Sequence, residues 1–224
     1  MLVLFDIDGT LLVGATAAHR EALDRAVQEV HGVSAPVEFV ATAGRTDPAI
    51  CRSILILGGV DAKAIDDRAQ EVADAASVAY AQLCPADLSE HVATGATPAL
   101  QQLAAAGHTL SLVTGNLEPI ARLKLGRAGL GSYFARGQGG FGSDHEDRAA
   151  LPAVARTRAG EVHRPHARTD TVIVGDTPLD IQCARADGVR CIGVATGPHP
   201  ASDLQDADVV IETLGELPQA LAAL

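Results

Sequence analysis

The chain has 224 residues, of which 47% are apolar and 20% are charged, a composition ordinary for a globular protein of one or two domains. Its formal net charge of -11 argues against a nucleic-acid or anionic-membrane surface, although a bound divalent cation could still attract a phosphate substrate. The four cysteines lack CxxC spacing and no stretch approaches the roughly 18 apolar residues of a membrane span, so we expect a soluble cytoplasmic protein with buried thiols.

A short apolar strand over residues 2–5 opens the chain and leads directly into two aspartates and a glycine turn at Gly9. Side chains alternate along an extended segment, so Asp6 and Asp8 face one side while Ile7 enters the core. Like charges that lie this close repel each other and need a cation or a shared proton. The pattern indicates a carboxylate nucleophile assisted by a metal ion.

Residues 14–90 show helical patterns and no convincing strand. The predicted helices cover about 16–30, 47–57 and 62–83. Asp47 is predicted to be the N-cap of the second helix, because Pro48 would then occupy its first turn. We therefore expect an inserted helical domain, with residues 1–13 and 91–224 forming the main domain.

Beyond residue 90, predicted helices and strands alternate. The helices cover about 98–106, 118–128, 147–157 and 179–187 and a terminal segment, and the strands cover about 108–114, 140–141, 171–174, 190–195 and 208–211. This alternation predicts an α/β fold, a Rossmann-like three-layer core with a parallel sheet, to which the helical domain is added. In such sheets ligands bind beyond the carboxyl ends of the strands.

Three of the predicted strands end in polar clusters, at residues 6–10, 114–116 and 175–180. Any one cluster could be a turn or a helix cap, because Asp, Thr and Asn serve in both. Together they read D-x-D-G-T-L, then T-G-N, then V-G-D-T-P-x-D. This order resembles the haloacid dehalogenase superfamily of aspartate-nucleophile phosphohydrolases, and the resemblance extends over essentially the whole chain.

The resemblance implies roles for the acidic residues. Asp6 would attack phosphorus and form an aspartyl-phosphate, while Asp8 would act first as general acid and then as general base. A Mg²⁺ ion would be held by Asp6, by the backbone carbonyl of Asp8 and by Asp176. Asp180 would support this site through water or a neighbouring ligand, and Thr10 would orient Asp8 or simply form the turn.

The phosphate site implied by the resemblance begins with the hydroxyl of Thr114. The backbone N–H groups near Gly115 and Asn116 would support it, because they open a helix. The family also needs a cation, often a lysine before proline, and the comparable stretch of this chain has none. Lys124 is our candidate for this cation, and Arg148 is the alternative.

The helical segment over 14–90 matches the cap of the subgroup that contains phosphoglycolate phosphatase and β-phosphoglucomutase, and such caps close over the active site. Its loop over 43–47 would reach the substrate, where Arg45 could grip a carboxylate or a second phosphate. A helix-capping loop explains the same residues. The histidines, His19 among them, show no ligand spacing with acidic partners and are expected at the surface.

These features lead us to expect a Mg²⁺-dependent phosphatase of a small phosphorylated metabolite, with no nucleic-acid or membrane partner, as a monomer or homodimer. A phosphomutase of the same subgroup would use the same residues and return the phosphoryl group to its substrate. A 2-haloacid dehalogenase fits less well, because that branch lacks the second aspartate and needs no metal. A receiver domain is disfavoured, because receivers are shorter, lack a helical insert and carry a lysine on a late strand where this chain has none. A non-catalytic phosphate-binding protein is disfavoured, because every acid that turnover requires is in place.

Overall fold

The computed structural model describes residues 1–34, 40–161 and 163–224. Residues 35–39 of the predicted helical domain therefore lie outside the described residues. The described strands form one sheet in the order β3-β2-β1-β4-β5-β6, and every neighbouring pair is parallel. The strands are β1 (Leu2–Phe5), β2 (Thr109–Thr114), β3 (Gly140–Phe141), β4 (Thr171–Gly175), β5 (Arg190–Val194) and β6 (Val209–Ile211).

Beyond residue 95, α-helices cover both faces of this sheet. The described residues contain nine α-helices in all. They are α1 (Ala17–His31), α2 (Asp47–Leu57), α3 (Ala62–Asp67), α4 (Ala69–Leu83), α5 (Ala96–Ala105), α6 (Glu118–Arg127), α7 (Leu151–Ala159), α8 (Pro178–Asp187) and α9 (Leu217–Ala223). Val3 and Phe5 of β1 belong to the apolar cluster that includes α5, α6 and α9. Leu2 and Leu4 belong to the opposite cluster with α7 and α8. The predicted three-layer α/β fold is confirmed.

The register of the central strands places the polar clusters side by side. Phe5 lies level with Leu112 of β2 and with Val174 of β4. The residues that follow these three strands therefore meet at the carboxyl edge of the sheet, where parallel α/β proteins bind ligands.

Helices α1 to α4 all lie between β1 and β2 in the chain, and α1 packs along α4. The single helix predicted over 62–83 is wrong, because the helix breaks at Arg68, where φ is -120° and ψ is 13°. The Arg68 guanidinium donates to the Val30 carbonyl of α1 and to Glu71, and it thereby ties the break to α1. The boundary of this domain at residues 14–90 stays a prediction.

The start of α2 also differs from the prediction. Thr46, not Asp47, is the N-cap, because the Thr46 hydroxyl accepts a hydrogen bond from the Ala49 N–H at 3.3 Å. The Asp47 carboxylate instead accepts a hydrogen bond at 2.8 Å from the N–H of Leu117, the N-cap residue of α6. Similarly, the helix predicted over 147–157 begins with a 3₁₀ turn over Arg148–Ala150 before α7.

Two further expectations concern the whole chain. All four cysteines are buried, with free thiols. Within the described ranges, none of the helices combines the length and the apolarity that crossing a bilayer demands.

Candidate active site

Three buried carboxylates meet at the carboxyl edge of the sheet. Asp6 follows β1, Asp176 follows β4, and Asp180 lies in the first turn of α8. One oxygen from each carboxylate lies within 4.8 Å of the other two. The structure thus brings together Asp6 and Asp176, which the sequence places 170 positions apart, in the grouping that the resemblance implies.

Glycines make room around Asp176. A Cβ on Gly9 would lie 2.1 Å from Asp176 Oδ2, and a Cβ on Gly197 would lie 1.8 Å from the same oxygen. Gly9 also has a positive φ of 91°, which a side chain would strain. The two glycines therefore keep a small open space beside this oxygen.

Asp176 has one satisfied oxygen and one open oxygen. Its Oδ1 accepts the Thr10 hydroxyl at 2.8 Å, whereas its buried Oδ2 has no hydrogen-bond partner among the described residues. The expected contact of Thr10 with Asp8 is therefore corrected, because a hydroxyl donates a single proton and Thr10 donates it to Asp176. An orphaned buried carboxylate oxygen beside other carboxylates fits a hard divalent cation such as Mg²⁺.

The pKa values of Asp6 and Asp176 also favour a bound cation. Burial, together with repulsion from Asp6 and Asp180, raises the pKa of Asp176 to about 8. Burial also raises the pKa of Asp6 to about 6, against the lowering effect of Arg148. The protein alone thus supplies too little positive charge to keep Asp176 ionised at neutral pH, and a bound cation would supply the remainder.

Arg148 is the cation next to Asp6. Its buried Nη2 lies 3.0 Å from Asp6 Oδ1 and also donates to Asp180 Oδ1. The other oxygen of Asp180 accepts the N–H and the hydroxyl of Thr177 and completes the capping box of α8. Asp180 therefore positions Arg148 and the helix, and its indirect support of a metal ion stays a prediction.

Lys124 is the cation next to Asp8. The side chain is fully buried and leans back along α6, so that its Nζ lies 2.5 Å from Asp8 Oδ2. The same oxygen accepts the Asn116 side-chain amide at 2.8 Å. Burial would raise the pKa of Asp8, but the Lys124 ammonium and the hydrogen bond from Asn116 together lower it. The two candidate cations thus serve different carboxylates.

The residues that follow β2 contact both Asp8 and the loop that precedes α2. Thr114 is fully buried, and its hydroxyl accepts the Asn116 N–H and side-chain amide at 3.3 and 3.2 Å. Asn116 is not the N-cap of α6, since Leu117 occupies that position. A Cβ on Gly115 would lie 2.0 Å from the Arg45 carbonyl, so glycine is required where the loop before α2 contacts the core.

Arg45 lines the cavity, but its guanidinium already donates to residues of the same segment. Its donors reach the carbonyls of Ala41 and Ala49 and the Ser53 hydroxyl at 3.1, 2.9 and 2.9 Å. A substrate would have to compete with these partners. The role of Arg45 in substrate binding stays a prediction.

His19 and Asp47 are site residues that the sequence analysis missed. His19 is 7% exposed, and its two ring nitrogens each lie 3.0 Å from a partner, Nδ1 from Lys124 Nζ and Nε2 from Asp47 Oδ2. The expectation of a surface histidine is wrong here. Helical periodicity could have indicated that His19 is buried, because His19 shares a face of α1 with the buried residues Leu23 and Ala26.

Asp6, Asp8 and Asp176 border a cavity of about 900 Å³. Arg20 and Asp24 of α1 and Ile50 and Ile54 of α2 also line it. The cavity is large enough for a small metabolite. The cavity is thus lined both by acids that could perform chemistry and by side chains that could select a substrate.

Comparison with known proteins assigns the chain to a family. The model of the haloacid dehalogenase-like hydrolases matches residues 3–185. The chain belongs to this family. A phosphoglycolate phosphatase from Pseudomonas putida is 30% identical over 96% of this chain and 78% of its own length. A second, from Pectobacterium atrosepticum, is 29% identical over 95% of this chain and 88% of its own length.

The solved structures agree on the fold. A β-phosphoglucomutase from Clostridium difficile superposes with a TM-score of 0.67 at 14% identity and covers 99% of this chain and 95% of its own. The resemblance inferred from the three motifs is thus confirmed, as is the expectation of a phosphatase of this family.

Proposed function

We propose that this enzyme is a Mg²⁺-dependent phosphatase that hydrolyses a small phosphorylated metabolite through an aspartyl-phosphate on Asp6. The observation that carries the proposal is the buried cluster of Asp6, Asp176 and Asp180, in which Arg148 is the one cation within contact distance among the described residues. Such a cluster is unfavourable unless a further cation joins it.

The residues present fit this metal ion. Asp6, Asp176 and the Asp8 backbone carbonyl would hold Mg²⁺, which when bound supplies positive charge to the phosphate oxygens. Arg148 lies beside Asp6 and would stabilise charge on the transferring phosphoryl group. The Thr114 hydroxyl and the backbone after β2 would orient that group.

Two displacements on phosphorus follow from this arrangement. In the first, an Asp6 oxygen bonds to phosphorus, the ester P–O bond breaks, and Asp8 gives a proton to the departing oxygen. In the second, Asp8 takes a proton from water, the water oxygen bonds to phosphorus, and Asp6 is released with inorganic phosphate. Asp8 is ionised beside Lys124, and the negative charge of an arriving phosphate would raise its pKa and favour the protonated form needed first.

Helices α1 and α2 would act as the cap over this chemistry. Their residues line the same cavity as Asp6, Asp8 and Asp176, which supports a division into a cap over 14–90 and a core over 1–13 and 91–224. Phosphoglycolate is the first substrate to test, because it is named in the relatives that match most of the chain. Whether the enzyme works as a monomer or a homodimer stays a prediction.

The alternatives differ in what happens to the phosphoryl group. A phosphomutase would need the same residues, but the matching relatives are phosphatases and the mutase neighbour, at 14% identity, shares the fold alone. A dehalogenase would have no use for Asp8 held by Lys124 or for Asp176 beside an open space. Intact Asp6 and Asp8 also argue against a non-catalytic binding protein.

The test is phosphate release by the purified protein. Phosphoglycolate, p-nitrophenyl phosphate and a panel of sugar phosphates are each incubated with Mg²⁺ or with EDTA. We expect Mg²⁺-dependent release of inorganic phosphate, lost in EDTA and restored by excess Mg²⁺. Isomerisation of a sugar phosphate without phosphate release would favour the mutase instead, and no turnover of any compound would contradict both.

A further inference from the structure

A chain of hydrogen bonds links Asp8 to the helical domain. Lys124 Nζ lies 2.5 Å from Asp8 Oδ2 and 3.0 Å from His19 Nδ1. His19 Nε2 lies 3.0 Å from Asp47 Oδ2, which also accepts the Leu117 N–H at 2.8 Å. His19 belongs to α1 and Asp47 to α2, whereas Lys124 belongs to α6 of the core. The chain therefore crosses between the two domains of the proposed enzyme.

One set of proton positions satisfies every member of this chain. A lysine ammonium has three donors and no acceptor, so His19 Nδ1 must accept the proton from Lys124. The histidine is then neutral and carries its proton on Nε2, from where it donates to Asp47. The Lys124 ammonium consequently has Asp8 on one side and a lone pair of His19 on the other.

The burial of Lys124 raises the free-energy cost of breaking these contacts. Lys124 is 0% exposed, so that each hydrogen bond it loses leaves a buried donor unpaired. The Tyr80 ring meets the His19 ring edge-on at 5.6 Å between centroids, and its centroid lies 5.8 Å from Lys124 Nζ. His19 is thereby restrained on the side where it faces the lysine.

We propose that His19 is a positioning residue that holds Lys124 against Asp8 and so sets the geometry in which Asp8 donates a proton to the leaving group. This inference rests on the proposed function, because it concerns the proton transfer of that reaction. His19 contacts neither the phosphate site after β2 nor the cluster of Asp6, Asp176 and Asp180 through a hydrogen bond. Its effect is expected on proton donation and not on phosphoryl binding.

Leaving-group chemistry isolates that effect. An alkoxide is a strong base and needs a proton as it departs, whereas p-nitrophenolate is a weak base and leaves without one. The constant kcat/KM covers the steps up to release of the alcohol or phenol, so later hydrolysis of the aspartyl-phosphate does not enter it. The ratio of kcat/KM for an alkyl phosphate to that for p-nitrophenyl phosphate therefore reports on proton donation.

The experiment compares substitutions at His19 in the full chain with Mg²⁺ present. The alkyl substrate is the compound of the phosphoglycolate and sugar-phosphate panel that the wild type hydrolyses fastest. We expect His19→Leu to lower the ratio by about 10- to 100-fold, because a displaced general acid loses part of its contribution. His19→Asn keeps an acceptor near the Nδ1 position and should restore most of the ratio, whereas His19→Gln should not.

Controls and outcomes separate this inference from the proposed function. His31→Leu makes the same substitution in the same helix and should leave the ratio unchanged. Should His19→Leu fail to fold, the contrast between the Asn and Gln variants decides. An equal fall on both substrates, or equal ratios in the Asn and Gln variants, would overturn the positioning role alone. No hydrolysis by the wild type would overturn the proposed function and this role together.

Discussion

The two aspartates of the opening motif are one residue apart in the chain, yet their surroundings are electrostatically opposite. Asp6 shares Arg148 with Asp180 and lies close to Asp176, so that three carboxylates face one cation. Asp8 has Lys124 to itself, with the Asn116 amide as a further donor. Burial therefore raises the pKa of Asp6 to about 6 in spite of Arg148, whereas Lys124 helps to outweigh burial and the pKa of Asp8 is lowered.

One short motif can therefore provide two kinds of carboxylate. The side around Asp6 lacks positive charge and is suited to a metal ion and a phosphoryl group, which restore the balance on binding. The side around Asp8 is already balanced, and it changes its protonation only when a further charge arrives. The charged neighbours that come from distant elements, Arg148 beside Asp6 and Lys124 beside Asp8, determine how the two carboxylates differ.

The largest expected effect comes from removing the proposed nucleophile. Asp6→Asn should lower kcat by at least about 10⁴-fold on every substrate, because the amide cannot form the acyl-phosphate bond. Asp8→Asn should cost about 10²- to 10⁴-fold, since it removes proton transfer and leaves the nucleophile in place. Steady-state phosphate release with Mg²⁺ measures both variants.

Asp206→Asn, at an exposed aspartate, is the control and should retain wild-type kcat. Undiminished hydrolysis by Asp8→Asn would contradict the role given to Asp8. Substantial turnover by Asp6→Asn would contradict covalent catalysis at this position, whatever the metal dependence.

The next effect concerns the choice of cation beside Asp6. Arg148 contacts Asp6 and Asp180 at once, which a planar guanidinium can do more readily than an ammonium. Arg148→Gln should lower kcat/KM by about 10²- to 10³-fold, because it removes charge stabilisation from the phosphoryl group. Arg148→Lys should recover part of this loss and remain roughly tenfold below wild type.

The exposed Arg136 provides a matched control, since Arg136→Gln removes the same charge away from the cavity and should have no effect. If Arg148→Gln retained full activity while a Lys124→Gln variant lost it, the division of the two cations between Asp6 and Asp8 would be wrong. Lys124 would then be the cation that acts on the phosphate.

The grouping of the catalytic acids was predictable because it follows from local pattern and a rule of sheet topology. Short apolar runs that end in Asp6 and Asp176 predicted neighbouring parallel strands, and parallel strands bring their carboxyl ends together. The resemblance to the haloacid dehalogenase family then added the expectation of a cation shared by Asp6 and Asp176. The expectation that Asp6 and Asp176 meet did not require knowing which side chains contact each other.

The partners within the site were harder to predict. His19 and Lys124 are 105 residues apart, and each fits an ordinary helix, so nothing in either local pattern indicates that they touch. The cap of α2 shows the same limit: Thr46 and Asp47 are both good N-caps, and the choice depends on the distant Leu117 N–H that takes the Asp47 carboxylate. Tertiary contacts decide between equal local options.

The smallest effect is on stability, and it tests the charge imbalance around Asp6 without any substrate. Burial raises the pKa values of Asp6 and Asp176 in the folded protein from 3.8, the ordinary value of an aspartate, to about 6 and about 8. Between these limits the folded protein binds more protons than the unfolded chain, so stability must fall as pH rises. In EDTA we expect Tm to fall by roughly 5–10 °C between about pH 5 and about pH 8.5.

Mg²⁺ should flatten this dependence, because a bound cation stabilises the ionised carboxylates and adds the binding free energy to the folded state. Asp176→Asn should flatten it without Mg²⁺ and should be more stable than the wild type in EDTA near pH 8, since one of the crowded charges is gone. Asp206→Asn should keep the wild-type slope. Equal slopes in the wild type and Asp176→Asn would mean that Asp176 is ionised without a cation, and the strongest physical argument for a metal ion at this site would fail.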